Sequence, residues 1–182
     1  MSTMDVPGLD VSTRVRARDI PMNAIANVQR KLLLISGAVD ATDHDVSLSI
    51  PLPAPGRWTI IKAETNLTDQ TWVAMQITTD EDTTFANDTN TMISSTQFTK
   101  TFMTPDQRRL TYYHGEVRPG EAAVKMFDLD TSSNHPTYAH ARYSRVATDT
   151  VEHSQTHLDQ LITDGMPPKP VLELIVPVTV IG

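Results

Sequence analysis

Two histidines four residues apart come nearest to a metal site in this chain. They are His153 and His157, in the run Glu152-His153-Ser154-Gln155-Thr156-His157. On a helix that spacing puts both imidazoles on one side, where they can share an ion. The zincin pattern also needs a Glu directly after the first His as general base, and Ser154 stands there instead. The pair reads as the polar border of an apolar stripe, and His153 and His157 remain candidate ligands that need a third partner from elsewhere. The acidic run Asp80, Glu81, Asp82 and Asp88 is the next candidate. A calcium loop starting at Asp80 needs Gly at its sixth position and Glu at its twelfth, where this chain has Phe85 and Thr91. Asp128 and Asp130 fail the same test, with Ser133 and Ala139 in those places. A solvated acidic loop is the reading that survives.

Nucleophile and nucleotide signatures are missing as well. Asp43-His44-Asp45 and Tyr113-His114 set imidazoles beside polar groups, but no GxSxG elbow accompanies them. Neither a GxGxxG nor a Walker loop occurs among the seven glycines. The chain has no Cys, which removes disulfides, Cys-ligated zinc and cysteine nucleophiles. The expectation is a protein without enzymatic activity, catalytic residues, metal or cofactor. Trp58, Trp72, Tyr112 and Tyr113 read either as a sugar-binding platform or as core, and their place within strand-like runs favours core. Asn66-Leu67-Thr68 and Asn87-Asp88-Thr89 are glycosylation sequons, a pattern that chance supplies readily in a Thr-rich chain.

The composition points to solvent more than to chemistry. The chain carries 16 Asp against 6 Glu, 10 Arg against 5 Lys, and 25 Thr. Short carboxylates and hydroxyls keep a surface hydrated where concentrated salt strengthens apolar association. A GC-rich genome produces the same skew, and both readings stay open. A net charge of -7 argues against a general nucleic-acid binder, which needs Lys and Arg to neutralise phosphates. The N-terminal run lacks the apolar core of a secretory signal, and no apolar run approaches the roughly 18 residues of a membrane span.

These residues must be held by strands. Residues 1–20 read as an arm, with Arg14, Arg16 and Arg18 on one side if it is extended, and 21–182 as a single domain. Met22 to Ile35 fits either a helix or a strand. Val46, Leu48, Ile50 and Leu52 alternate as in a half-buried strand, and Val73, Met75 and Ile77 share one face. Thr79 to Thr96 reads as a polar loop without a core face. Arg118-Pro119-Gly120 predicts a hairpin turn onto Glu121 to Leu129. In Tyr138 to Val146 the alternation puts Ala139, Ala141 and Tyr143 inward, with His140 and Arg142 outward. A helix is predicted near 150–163, with Asp149 as N-cap, Val151, Leu158, Leu161 and Ile162 on its apolar side, and Gly165 after it. Leu172 to Val180 predicts one last strand, in which Pro177 marks an edge or a bulge. About eight antiparallel strands with one late helix predict an all-β, jelly-roll sandwich or barrel.

A Cys-free β-domain of this size, with an arm and a Thr/Asp-rich surface, resembles the smaller major capsid protein of haloarchaeal icosahedral viruses that enclose a membrane. The resemblance covers size, strand order and composition and rests on no diagnostic motif. It implies a single vertical jelly roll located in the virion. The partners it implies are further copies of the chain and a second capsid protein. The arm of Arg14, Arg16 and Arg18 would then face anionic lipid of the internal membrane or a neighbouring subunit. The alternatives are a phage decoration or tail-associated β-sandwich, and a carbohydrate-binding module.

Overall fold

The computed structural model describes residues 22–40, 44–88, 93–144, 151–167 and 169–182, with the backbone alone considered over 151–156. Two sheets stack face to face as a jelly-roll-like β-sandwich. The first contains β1 (Met22–Asn27), β2 (Leu32–Val39), β4 (Gly56–Asn66), β6 (Thr83–Phe85), β7 (Ser94–Ser95), β10 (Ala122–Thr131) and β13 (Val178–Ile181). Its order is β13-β1-β2-β4-β10-β6, with β7 also on β10. The second contains β3 (Asp45–Ser49), β5 (Trp72–Thr79), β8 (Phe98–Met103), β9 (Arg109–Val117), β11 (Thr137–Ser144) and β12 (Val171–Ile175), in the order β12-β3-β11-β5-β9-β8. One helix, α1 (Val151–Asp164), lies on the outer face of the second sheet.

The segment from Met22 to Ile35 is two strands, not a helix. Met22, Ala24 and Ala26 alternate inward on β1, and Leu33 and Ile35 do so on β2. The turn between them carries Lys31 at φ 51. Among the described residues thirteen strands replace the expected eight or so, because several are short and the long runs break where the chain changes sheets. Most pairs are antiparallel, but β1 with β13, β2 with β4 and β3 with β12 run parallel.

Two connections differ from the sequence expectation for one reason: a turn residue signals a reversal without saying which sheet receives the next strand. The turn at Arg118 to Glu121 is present, closed by Glu121 N–H donating to the Arg118 carbonyl, with Gly120 at φ 85. It carries the chain from β9 in one sheet to β10 in the other, so it is an arch and not a hairpin. The final run likewise divides at Val176-Pro177, β12 on one sheet edge and β13 on the other. Proline cannot donate to a ladder, which suits it to this crossing. The Thr79 to Thr96 region is not wholly polar surface either. Thr83 and Phe85 are buried, and Phe85 meets Phe127 edge-on with ring centroids 5.6 Å apart.

The core lies between the sheets. Trp58, Trp72, Tyr112, Phe127 and Leu48 fill much of it. Leu158, Leu161 and Ile162 of α1 are buried, and Leu158 and Ile162 pack on Ala74. This explains why β5 is buried on both faces: Met75 and Ile77 face the sandwich, while Ala74 lies under the helix. The helix ends as predicted. Gly165 adopts φ 88 and its N–H donates to the Leu161 carbonyl at 2.9 Å. Arg109 of β9 adds a cation at that end, its Nη2 donating to the Thr163 carbonyl at 2.7 Å. Asp149, the expected N-cap, lies outside the described residues.

Candidate functional site

One half of the space between the sheets is not apolar. On β4 the inward positions run Trp58, Ile60, Lys62, Glu64 and Asn66, so the strand turns from oily to charged along one face. Opposite Lys62 in the same sheet is Lys125 of β10. From the other sheet come His140 and Arg142 of β11. The described side chains of all five are buried, with Glu64, Lys125 and His140 wholly so. The expected orientation of β11 is therefore inverted. His140 and Arg142 point in, because they meet charged partners there and not hydrocarbon.

Glu64 Oε1 is the hub. Lys125 Nζ donates to it at 3.1 Å, Lys62 Nζ stands at 3.4 Å and His140 Nε2 at 3.5 Å. Its Oε2 faces Arg142 Nε at 3.5 Å without an aligned hydrogen bond. Lys125 Nζ also lies 3.0 Å from His140 Nε2 and 3.5 Å from the Met75 sulfur. Aromatic faces hold the remaining cationic groups. Arg142 stacks over Trp72 at 5.2 Å, and Lys62 lies 5.6 Å from the Tyr138 ring.

The charges follow from burial and proximity. Burial alone would raise the Glu64 carboxyl, but the basic groups of His140, Lys62, Lys125 and Arg142 overcome it and hold it well below the usual carboxylate range. Burial pushes Lys125 down to about 7 against the pull of Glu64, and lowers Lys62 in the same way. Burial also drives His140 well below its ordinary value, so at neutral pH the ring is uncharged and the carboxylate is held by Lys62, Lys125 and Arg142. With Lys125 protonated, Nε2 of that ring accepts and the ring proton sits on Nδ1, which has no partner among the described residues. At the rim, burial raises the Asp45 carboxyl while Lys169 and Arg142 oppose the rise.

The residues singled out from sequence fall elsewhere. His157 is exposed, and its Nδ1 lies 2.8 Å from the Tyr143 hydroxyl. The His153 side chain lies outside the described residues, as do Arg14, Arg16 and Arg18. Among the described residues no group of three or more His, Asp or Glu is placed to hold a metal ion. Asp88 and Asp130 bracket Arg57 at 2.6 and 2.7 Å, so the acidic loop is tied to a strand. Trp58, Trp72 and Tyr112 are buried, which removes them as an exposed sugar platform. Asn66 is also buried, with Nδ2 donating to the Gln70 and Val117 carbonyls and Oδ1 accepting from the Thr68 N–H and hydroxyl. In the folded chain the Asn66 amide is out of reach of a glycosyltransferase.

A second feature lies on the surface. Six of the seven exposed large apolar side chains, among the described residues, are Ile25, Leu34, Val171, Ile175, Val180 and Ile181. They belong to β1, β2, β12 and β13. Since β12 and β13 are sheet edges joined by only Val176-Pro177, these residues border one side of the sandwich. On the outer face beside them, Ile25, Leu34, Ile61 and Ala63 line a shallow groove of about 360 Å³.

The architecture defines a jelly-roll-like β-sandwich with a charged core half and an apolar edge. Residues 22–182, beginning at the first residue of β1, match the model of a family of unknown function, DUF6423, and the chain belongs to that family. No curated protein and no solved structure matches the chain.

Proposed function

We propose that the chain is a structural subunit that assembles with copies of itself, and that the assembly is a virion shell. The observation that carries the assembly is the apolar side. Natural sandwiches usually blunt their edge strands with charge, proline or a covering element, because an open apolar edge pairs with other chains. Here β13 reads Val-Thr-Val-Ile and carries no charged residue, and Ile25, Leu34, Val171 and Ile175 add exposed apolar side chains beside the charged Glu173 of β12. A face of this kind is covered in the working state of a protein. The shell is the finer part of the reading. Its support is the resemblance in size, β-architecture and Cys-free composition to small jelly-roll capsid proteins, whose partner would be a second β-sandwich protein.

The test is assembly itself. Light scattering and electron microscopy at rising concentration in molar salt should show dimers or larger bodies burying over about 1,000 Å² per contact. Ile175→Asp and Val180→Asp should abolish them with little change in melting temperature, since both side chains are exposed. A wild-type chain that stays monomeric, alone and with the second shell protein present, ends the proposal. Shells that form without this chain would make it a decoration protein instead.

A further inference from the structure

The charged half of the core is unbalanced, in charge and in hydrogen bonding. Below about pH 7, where Lys125 is protonated, Lys62, Lys125 and Arg142 face one buried carboxylate, Glu64, and the half-buried Asp45 at the rim offsets only part of the excess. The unmet bonds have the same bias. Glu64 Oε1 is approached by three nitrogens, while Arg142 Nε and Nη2, His140 Nδ1 and the Tyr138 hydroxyl have no hydrogen-bond partner among the described residues. With the His140 proton on Nδ1, every one of these can donate. Glu64 Oε2 is the one unmet acceptor of the cluster, and it already stands beside Arg142.

Buried donors left unmet are costly, and buried charge without a counter-charge more so. A water molecule can accept from two of these donors, but it brings no charge. A halide ion accepts only, and brings the missing negative charge. We infer that the sandwich binds a small monovalent anion, chloride or an ion of similar size, between its sheets, with Arg142 as direct ligand and Lys62 and Lys125 as counter-charges. Arg142 lies over the Trp72 ring, which helps to hold its donors in place. Arg142 also lines a surface pocket of about 230 Å³ with Asp45, Tyr143 and Lys169, the side from which an ion would reach it. The inference is independent of the assembly reading.

Bromide replaces chloride and scatters anomalously, so crystals of the full chain grown in sodium bromide give a direct reading. The expected result is an anomalous peak within about 3.5 Å of the Arg142 guanidinium or the lysine nitrogens. In solution, sodium chloride should raise the melting temperature above sodium gluconate at equal ionic strength. The rise should reach about 5 °C or more once chloride is a hundredfold above its Kd, and should keep growing with the logarithm of concentration. Lys62→Met should shrink that difference. A bromide map without a peak in the cluster, or wild-type melting temperatures that coincide in the two salts, overturns the inference.

Discussion

Lys125 Nζ lies 3.0 Å from His140 Nε2, and that contact joins one sheet of the sandwich to the other. Sandwich cores are ordinarily closed by side chains that have no charge to lose. Here two of the five lysines of the whole sequence, Lys62 and Lys125, are in the core and share one carboxylate.

The cluster should respond unequally to neutral substitutions. Glu64→Gln removes the only buried carboxylate facing three cations, and should cost about 3–5 kcal/mol in urea denaturation. Lys62→Met removes a surplus cation and keeps the hydrocarbon stem, so it should be close to neutral or stabilising. The reverse order of the two variants would mean that Glu64 is not the hub.

Stability should peak on the alkaline side of neutral. Lys125 is held near 7 in the fold against an ordinary value of 10.5. Between those values the unfolded chain binds a proton that the folded chain does not, so stability climbs as pH rises through that window. Below it both forms are protonated and the penalty is complete. His140 acts in the same sense, since the unfolded ring takes a proton below 6.5 and the folded ring does not. Glu64 contributes stability above 4.5 that is lost as pH falls further. Burial raises Tyr112 and Tyr138, so the unfolded phenols ionise first above 10 and reverse the trend. Urea midpoints should therefore be highest between about pH 8 and about pH 10. A maximum near about pH 6 would contradict the charge assignment.

The end of α1 offers a local test. Gly165 sits at φ 88, and a Cβ there would come 2.6 Å from Arg109 Nη1. Gly165→Ala should cost about 1–2 kcal/mol from the left-handed backbone alone. It should also push Arg109 off the Thr163 carbonyl. Calorimetry of Gly165→Ala and Arg109→Ala checks both effects, and a Gly165→Ala protein as stable as wild type refutes the cap.

Asn66 should be a structural residue and not a glycan carrier. Its side chain takes part in four hydrogen bonds at the start of the loop to β5. Asn66→Ala should lose about 2–4 kcal/mol, at roughly 1 kcal/mol for each bond. Peptide mass mapping of protein made in a glycosylating host should find Asn66 unmodified, and a glycan there would mean that this turn opens.

Much of the fold is legible in the sequence because strands keep a period of two. Val46, Leu48 and Ile50 point inward as the alternation requires, and the Leu158 to Gly165 pattern locates the end of the helix. The site is less legible, for a physical reason. The rule that polar residues face water assigns His140 and Arg142 to the wrong face of β11, since their partners come from β4 and β10, far away in the chain. A signal does exist. Lys62 and Glu64 are in phase with Trp58 and Ile60, Lys125 is in phase with Phe127 and Leu129, and His140 and Arg142 are in phase with Tyr138. Three strands that each combine large apolar and charged residues in one phase mark a core with a charged half.

The passage through Val176-Pro177 bears on how the molecule is made. Ala24 to Asn27 pair with Val178 to Ile181, so the first described strand waits for a partner synthesised more than 150 residues later. Each ladder borders a sheet, so neither sheet is complete until that stretch emerges from the ribosome. Folding is then a late, all-at-once event with long-range contacts, which is slow by its nature. A nascent chain lacking β13 carries a bare β1 edge, and is the form most at risk of pairing with the wrong neighbour.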